Sequence, residues 1–149
     1  MMPIFVNQVE IGDTEIGQEM QYHPADSREE AWHMAAQSLV VRHLLLQQAA
    51  DTGLCEQPDL ISPGKQEEGA IDRLLQRDVK VPEADEATCR RFYEGHSERF
   101  REESSGRIIA FEQVHSHIRD YLHTKAMRIA VAEYIKALSC NASIKGIEL

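Results

Sequence analysis

The sequence predicts an all-α fold in which two long helices pack together and a small β element joins the two ends of the chain. Three observations indicate this fold: a capping box before one long apolar segment, a second long run with apolar residues at steps of three and four, and short apolar stretches at both termini. Two or three shorter helices are expected beside the long pair. The 149 residues favour a single domain, because they are too few for two large cores.

The first long helix is predicted over Ser27–Thr52. Its start is the capping box Ser27-Arg28-Glu29-Glu30, in which the serine hydroxyl can accept from the Glu30 amide. Gly53 is a favourable C-terminal stop. The segment "LVVRHLLLQQAA" near its end is apolar on more than one face, which predicts burial among several other elements.

The second long helix is predicted over Phe111–Leu138 and carries the clearest periodicity in the chain. At ~1.5 Å per residue it would be roughly 40 Å long, so it must pack against other elements, and we expect the first long helix to be one of them. Ten positions recur at steps of three and four, and all of them except Lys125 are apolar. The ten positions are Phe111, Val114, Ile118, Tyr121, Leu122, Lys125, Ile129, Ala132, Ile135 and Leu138.

Shorter elements are expected between and around the long helices. The stretch from Ile4 to Ile11 reads as a small hairpin around an Asn-centred turn, and Ile144 and Ile147 in the tail predict a strand beside it. A short helix is expected around Glu15–Met20. Further helices are predicted at Lys65–Gln76 and at Glu86–His96, the latter capped by Asp85, with a proline-containing loop at Cys55–Gly64.

Composition argues against several classes of protein. The 16 basic and 25 acidic residues give a net charge of −9, which repels phosphate backbones, so we expect no nucleic-acid partner. The N-terminus has no basic region before an apolar run, and no stretch reaches the roughly 18 apolar residues of a membrane span. Three scattered cysteines predict neither disulfides nor a thiolate metal site, and a reduced cytoplasm is the expected location.

No catalytic or metal site is predicted. The seven histidines include no pair at i, i+4, so we expect no metal or other cofactor. Cys89 beside Arg90 and Arg91 is either a thiol of low pKa or a small buried residue on the face of Phe92, and we favour the second interpretation. No serine lies in a nucleophile-elbow motif.

Methionine and aromatic residues are the candidates for binding. Such side chains either fill the core or line a groove that adapts to varied apolar segments. The candidates for a peptide-binding groove are Met20, Tyr22, Trp32, Met34 and Met127.

Four stretches together resemble one family. "VNQVEIGDTEIGQEM" is similar to the opening strand-turn-strand and first helix of the parvulin-linked chaperones, and "AAQSLVVRHLLLQQAADTGL" to their long first helix. "VPEADEATCRRFYEGHSERFR" resembles the short helix that leads into their isomerase domain, and the last forty residues resemble the long helix and closing strand after it. Cytoplasmic chains of the nitrogen-fixation maturation protein M type are the most similar, and SurA- and PpiD-type chaperones are more distant.

The resemblance implies that a catalytic domain is missing. In that family the isomerase domain lies between the short helix and the last long helix, where this chain has only residues 101–107, "REESSGR", whose Ser-Ser-Gly is typical of a flexible joint. Prolyl isomerisation is therefore not expected. The leading hypothesis is a chaperone module that binds unfolded or client polypeptide. The alternative is an assembly module that self-associates or serves one partner, such as a metalloenzyme being matured; a domain-swapped dimer across the joint is a further hypothesis.

Overall fold

The computed structural model describes residues 3–56 and 64–149, and within them the predicted fold class is confirmed. The described residues form five α-helices and one three-stranded sheet. Residues 57–63 of the loop expected at Cys55–Gly64 lie outside the described residues. The helices are α1 (Asp13–Glu19), α2 (Arg28–Asp51), α3 (Lys65–Asp78), α4 (Glu86–Gly95) and α5 (Phe111–Cys140).

The sheet joins the two ends of the chain, as predicted. Strands β1 (Ile4–Val6) and β2 (Val9–Ile11) form an antiparallel hairpin, and β3 (Ile144–Lys145) pairs antiparallel with the other edge of β1. Asn7 and Gln8 connect the hairpin, with φ angles of 49° and 72°. Positive φ at both residues is the geometry of the two-residue turn that matches the twist of paired strands.

The described residues divide into two compact units. Unit 1 comprises the described residues up to Asp78 together with Ala132–Leu149, and unit 2 comprises Val79–Val131. Helix α5 therefore contributes residues to both units.

Unit 1 contains two clusters of buried side chains, and α2 takes part in both. The first core joins the sheet, α1 and the N-terminal half of α2 through Ile4, Val6, Ile11, Ile16, Ala35, Ala36, Leu39, Val40 and Leu44. The second core joins the end of α2 to α3 through Leu45, Leu46, Ala49, Ala70 and Leu74. Because α2 serves two cores, it is apolar on more than one face.

The two long helices meet at the second core. Tyr134, Ile135 and Leu138, near the end of α5, pack against the buried residues of α2 and α3. The prediction that the long helices pack together is confirmed for this part of α5. The helix starts are also as predicted: the Glu30 amide donates to Ser27 Oγ at 3.1 Å, and the Thr88 amide donates to Asp85 Oδ1 at 2.8 Å.

A tyrosine–aspartate hydrogen bond ties α5 to the end of α3. Tyr134 Oη donates to Asp78 Oδ2 at 2.6 Å, and burial, with this hydrogen bond, raises the pKa of Tyr134 to about 12. A raised pKa means that the folded state favours the neutral form of Tyr134. The contribution of Tyr134 to folding stability is therefore complete below the pKa that this tyrosine has in the unfolded chain, and it is lost as the pH rises toward 12. We expect one of the four tyrosines to ionise late in an absorbance titration, and Tyr134→Phe to remove that phase and lower the free energy of unfolding by about 1 kcal/mol. Late ionisation that persists in the variant would contradict this assignment.

Unit 2 is organised around an aromatic core. Cys89, Phe111 and Ile118 are its buried residues, and the half-buried rings of α4 and the following 3₁₀ turn at Ser97–Phe100 pack against them. Burial raises the pKa of the Cys89 thiol. The interpretation of Cys89 as a small buried residue is therefore confirmed. Helices α4 and α5 pack together within this single chain.

The short joint is a closed turn. Arg101 and Ile108 form an antiparallel bridge, and the Ile109 amide donates to the Phe100 carbonyl at 2.7 Å. The Arg101 guanidinium donates to Glu98 on one side and to the Gly106 carbonyl on the other. The residues whose Ser-Ser-Gly is typical of a flexible joint thus form a hydrogen-bonded turn, in which Arg101 supplies contacts that composition alone does not predict.

Candidate peptide-binding cleft

Unit 1 contains an open cleft between α1 and the beginning of α2. Its volume is about 600 Å³, within the roughly 300–1,000 Å³ of small-molecule sites. We call it the Trp32 cleft. It is lined by Asp13, Gly17, Met20, Arg28, Glu29 and Trp32.

Helical spacing places these residues on facing sides of two helices. Positions 13, 17 and 20 succeed one another at steps of four and three, so they share one side of α1 and the turn that follows it. On α2, Trp32 lies one turn beyond Arg28 and Glu29 for the same reason. The cap at Ser27 sets the first turn of α2, and with it the position of Trp32 on the cleft wall.

The other side of α1 fixes the helix to α2. Glu19 lies 3.1 Å from His23, accepts from Ser38 Oγ at 3.4 Å, and lies 3.7 Å from Arg42. One turn earlier on α1, a further carboxylate, that of Glu15, lies 3.3 Å from a histidine of α2. These contacts hold α1 in place without using the residues that line the cleft.

The floor of the cleft is apolar. Met20 and Trp32 are half-buried, and both pack against the first core. Gly17 also lines the cleft, and a Cβ added there would meet no atom within 4 Å. The missing side chain at Gly17 thus leaves the cleft open.

The rim of the cleft carries charges that lack partners. Asp13, Arg28 and Glu29 are exposed, and none of their side chains makes a hydrogen bond or ion pair within the part of the chain that the structure describes. In the sequence, residues 1–78 and 132–149 include seven basic and sixteen acidic residues, whereas residues 79–131 include nine of each, so the whole net charge of −9 belongs to the sequence ranges of unit 1. The cleft therefore lies in a strongly negative part of the molecule.

The structure brings together two of the five candidate binding residues. Met20 and Trp32 line the Trp32 cleft. Tyr22 is 70% exposed and Met34 39% exposed, and neither lines it. Met127 is half-buried in unit 2.

Sequence reasoning missed the other cleft residues, Asp13, Gly17, Arg28 and Glu29. Asp13 and Glu29 lie in first turns of helices, where acidic residues are common for reasons of helix stability alone. The available signal was Gly17, because a glycine in the interior of a helix costs stability and usually has a local reason.

The described residues contain neither a cluster of metal-binding type nor a membrane-spanning helix. No three His, Cys, Asp or Glu side chains among residues 3–56 and 64–149 are arranged to hold a metal ion. None of the helices described there is long and apolar enough to cross a bilayer.

The fold and the cleft define a mostly helical protein with a small terminal sheet and an apolar cleft bordered by charges. The chain matches no protein-family model, no curated protein and no solved structure.

Proposed function

We propose that this protein is a chaperone module that binds segments of client polypeptide in the Trp32 cleft, without a chemical step. The observation that carries the proposal is the pairing of Met20 and Trp32 on the floor of an open cleft of about 600 Å³. A methionine and an indole ring adapt to apolar side chains of different shapes, which a binder of varied clients requires. The resemblance to parvulin-linked chaperones supports the same function.

The turn at residues 101–108 supports a function without isomerisation. It is exposed throughout and its hydrogen bonds are local, so it offers no enclosed place for a proline ring. Binding of a client would then be reversible, and its energy would come from apolar contact.

Charge complementarity indicates which clients bind. The cleft has two acidic groups and one basic group on its rim, and unit 1 carries the whole net charge of −9. Apolar segments flanked by lysine or arginine are therefore the preferred ligands, because their charges are attracted to this unit.

Trp32 is the only tryptophan, so its fluorescence reports directly on the cleft. We expect a peptide with two adjacent apolar residues between lysines to shift the Trp32 emission to shorter wavelength as it saturates the cleft. The same peptide with glutamates in place of the lysines should bind more weakly. Suppression of the aggregation of an unfolded client should show the same preference.

Gly17 allows a test that separates binding from folding. Gly17→Leu would place a side chain in the open space of the cleft, and it also removes the roughly 0.5–1 kcal/mol cost of a glycine within a helix. We therefore expect this variant to be at least as stable as the natural chain, yet to lose peptide binding and client protection. Gly17→Ala is the matched control, because it gives the same helix stabilisation with only a methyl group in the cleft.

Two results would contradict the proposal. One is a Gly17→Leu variant that protects clients as well as the natural chain does. The other is a Trp32 emission that changes with protein concentration alone, which would indicate that a second copy of the chain occupies the cleft and would favour the assembly function.

A further inference from the structure

Unit 2 has a second, smaller pocket, formed by the end of α4, the 3₁₀ turn after it and the first half of α5. Its volume is about 220 Å³, below the roughly 300–1,000 Å³ of small-molecule sites, so it has room for one large side chain. We call it the Phe92 pocket. It is lined by Phe92, Arg99, Phe100, His117, Ile118 and Tyr121.

The walls of the Phe92 pocket are largely aromatic. The Phe92 ring lies 6.3 Å from the Phe100 ring in an edge-on arrangement and 5.5 Å from the Tyr121 ring. Tyr121 remains 45% exposed, so its ring is available to a ligand. Aromatic walls of this kind favour a further ring, because edge-on and offset ring pairs attract each other beyond what the buried area alone supplies.

The polar groups of the pocket are basic. Arg99 lies with its guanidinium carbon 5.9 Å from the centre of the Phe92 ring and makes no ion pair, and His117 has no partner among the described residues. None of the six described residues that line the pocket carries a carboxylate. Glu98, which precedes Arg99 in the sequence, already forms an ion pair with Arg101. A ligand that brings negative charge would therefore meet an unneutralised arginine beside an aromatic surface.

We propose that the Phe92 pocket binds an aromatic side chain that has aspartate or glutamate neighbours in a client polypeptide. The pocket takes one ring, and Arg99 and His117 contact the acidic groups beside it. This site shares no residue with the Trp32 cleft and has the opposite charge preference. The chain would thus hold two kinds of client segment at two separate places.

The test uses the full chain and three labelled peptides that differ only around one phenylalanine, which is flanked by glutamate, glutamine or lysine. Fluorescence anisotropy should show the glutamate peptide binding about three- to ten-fold tighter than the glutamine peptide. The lysine peptide suits the Trp32 cleft instead, so its binding should be accompanied by a shift of the Trp32 emission. Binding of the glutamate peptide should leave the Trp32 emission unchanged, because Trp32 belongs to the other site. This readout separates the present proposal from the proposed function of the Trp32 cleft.

Variants of the pocket identify the groups responsible. The double variant Arg99→Gln, His117→Gln should bring the glutamate and glutamine peptides to equal affinity, because it removes both groups that would contact the glutamates. Both substituted side chains are exposed, so we expect the fold to tolerate the change. Tyr121→Ser should weaken both peptides. Arg91→Gln is the matched control, because Arg91 is an exposed arginine of the same unit whose side chain donates to Thr88 and does not line the pocket, and it should leave the preference intact.

Equal affinity of the natural chain for the glutamate and glutamine peptides would overturn the proposal. So would a preference that survives the double variant, or binding of the glutamate peptide that shifts the Trp32 emission.

Discussion

Replacing Gly146 with alanine is expected to cost roughly 2–5 kcal/mol of folding stability, from left-handed strain and overpacking together. Gly146 follows β3 with φ +92°, a conformation that side chains disfavour. A Cβ at this position would overlap the Pro3 carbonyl oxygen and lie 3.2 Å from the Ile4 Cα. Both atoms belong to the backbone, so relief requires β1 and β3 to move apart.

Gly53 provides the matched control. It also has a positive φ, +77°, but no atom lies within 4 Å of its Cβ position. Gly53→Ala should therefore show the strain of the left-handed backbone alone, about 1–2 kcal/mol, and the difference between the two variants isolates the clash. Urea denaturation followed by circular dichroism measures both losses. Equal losses would mean that the approach of Gly146 to Pro3 does not matter to stability.

Gly146→Ala should also disturb the Trp32 cleft. Ile144 and Ile147, on either side of Gly146, pack against the first core, which also supports Met20 and Trp32. Separation of β3 from β1 would remove part of this support. A change in the Trp32 emission of Gly146→Ala is therefore expected to accompany its loss of stability.

The helices and the terminal sheet could be predicted because local signals determine them. The cap at Ser27, the cap at Asp85 and the periodicity from Phe111 each set a helix start that the structure has at the expected residue. The pairing of the chain ends needed only two short apolar stretches, since an exposed apolar strand gains by pairing with another.

The two units and the two sites could not be predicted, because they depend on contacts between distant residues. The apolar positions of α5 form one continuous pattern, although Ile118 belongs to the core of unit 2 and Ile135 packs on the second core of unit 1. The distribution of charge between the units could not be predicted for the same reason. The net charge of −9 is a property of the sequence, but its confinement to unit 1 becomes visible only when the units are known.

Phe111→Ala is expected to cost about 3–5 kcal/mol, the usual loss for a buried phenylalanine. Phe111 begins α5 and is 5% exposed. Its ring contacts three side chains: the Arg90 guanidinium at 4.5 Å, the Tyr93 ring at 5.5 Å and the His115 ring at 4.7 Å. At roughly 0.05–0.15 kcal/mol per residue, the stability of a unit as short as residues 79–131 is of the same size as this loss. The variant should therefore unfold unit 2.

Cys89 reports this unfolding chemically. It is fully buried within unit 2, whereas Cys140 is exposed, so a thiol reagent should modify Cys140 early and Cys89 late in the natural chain. In Phe111→Ala we expect Cys89 to react rapidly, while the Trp32 emission monitors unit 1 separately. Phe111→Leu is the control, because it keeps most of the buried volume and should keep Cys89 protected. If Cys89 stays protected in Phe111→Ala, the core of unit 2 does not depend on the Phe111 ring, and the aromatic walls of the Phe92 pocket have another support.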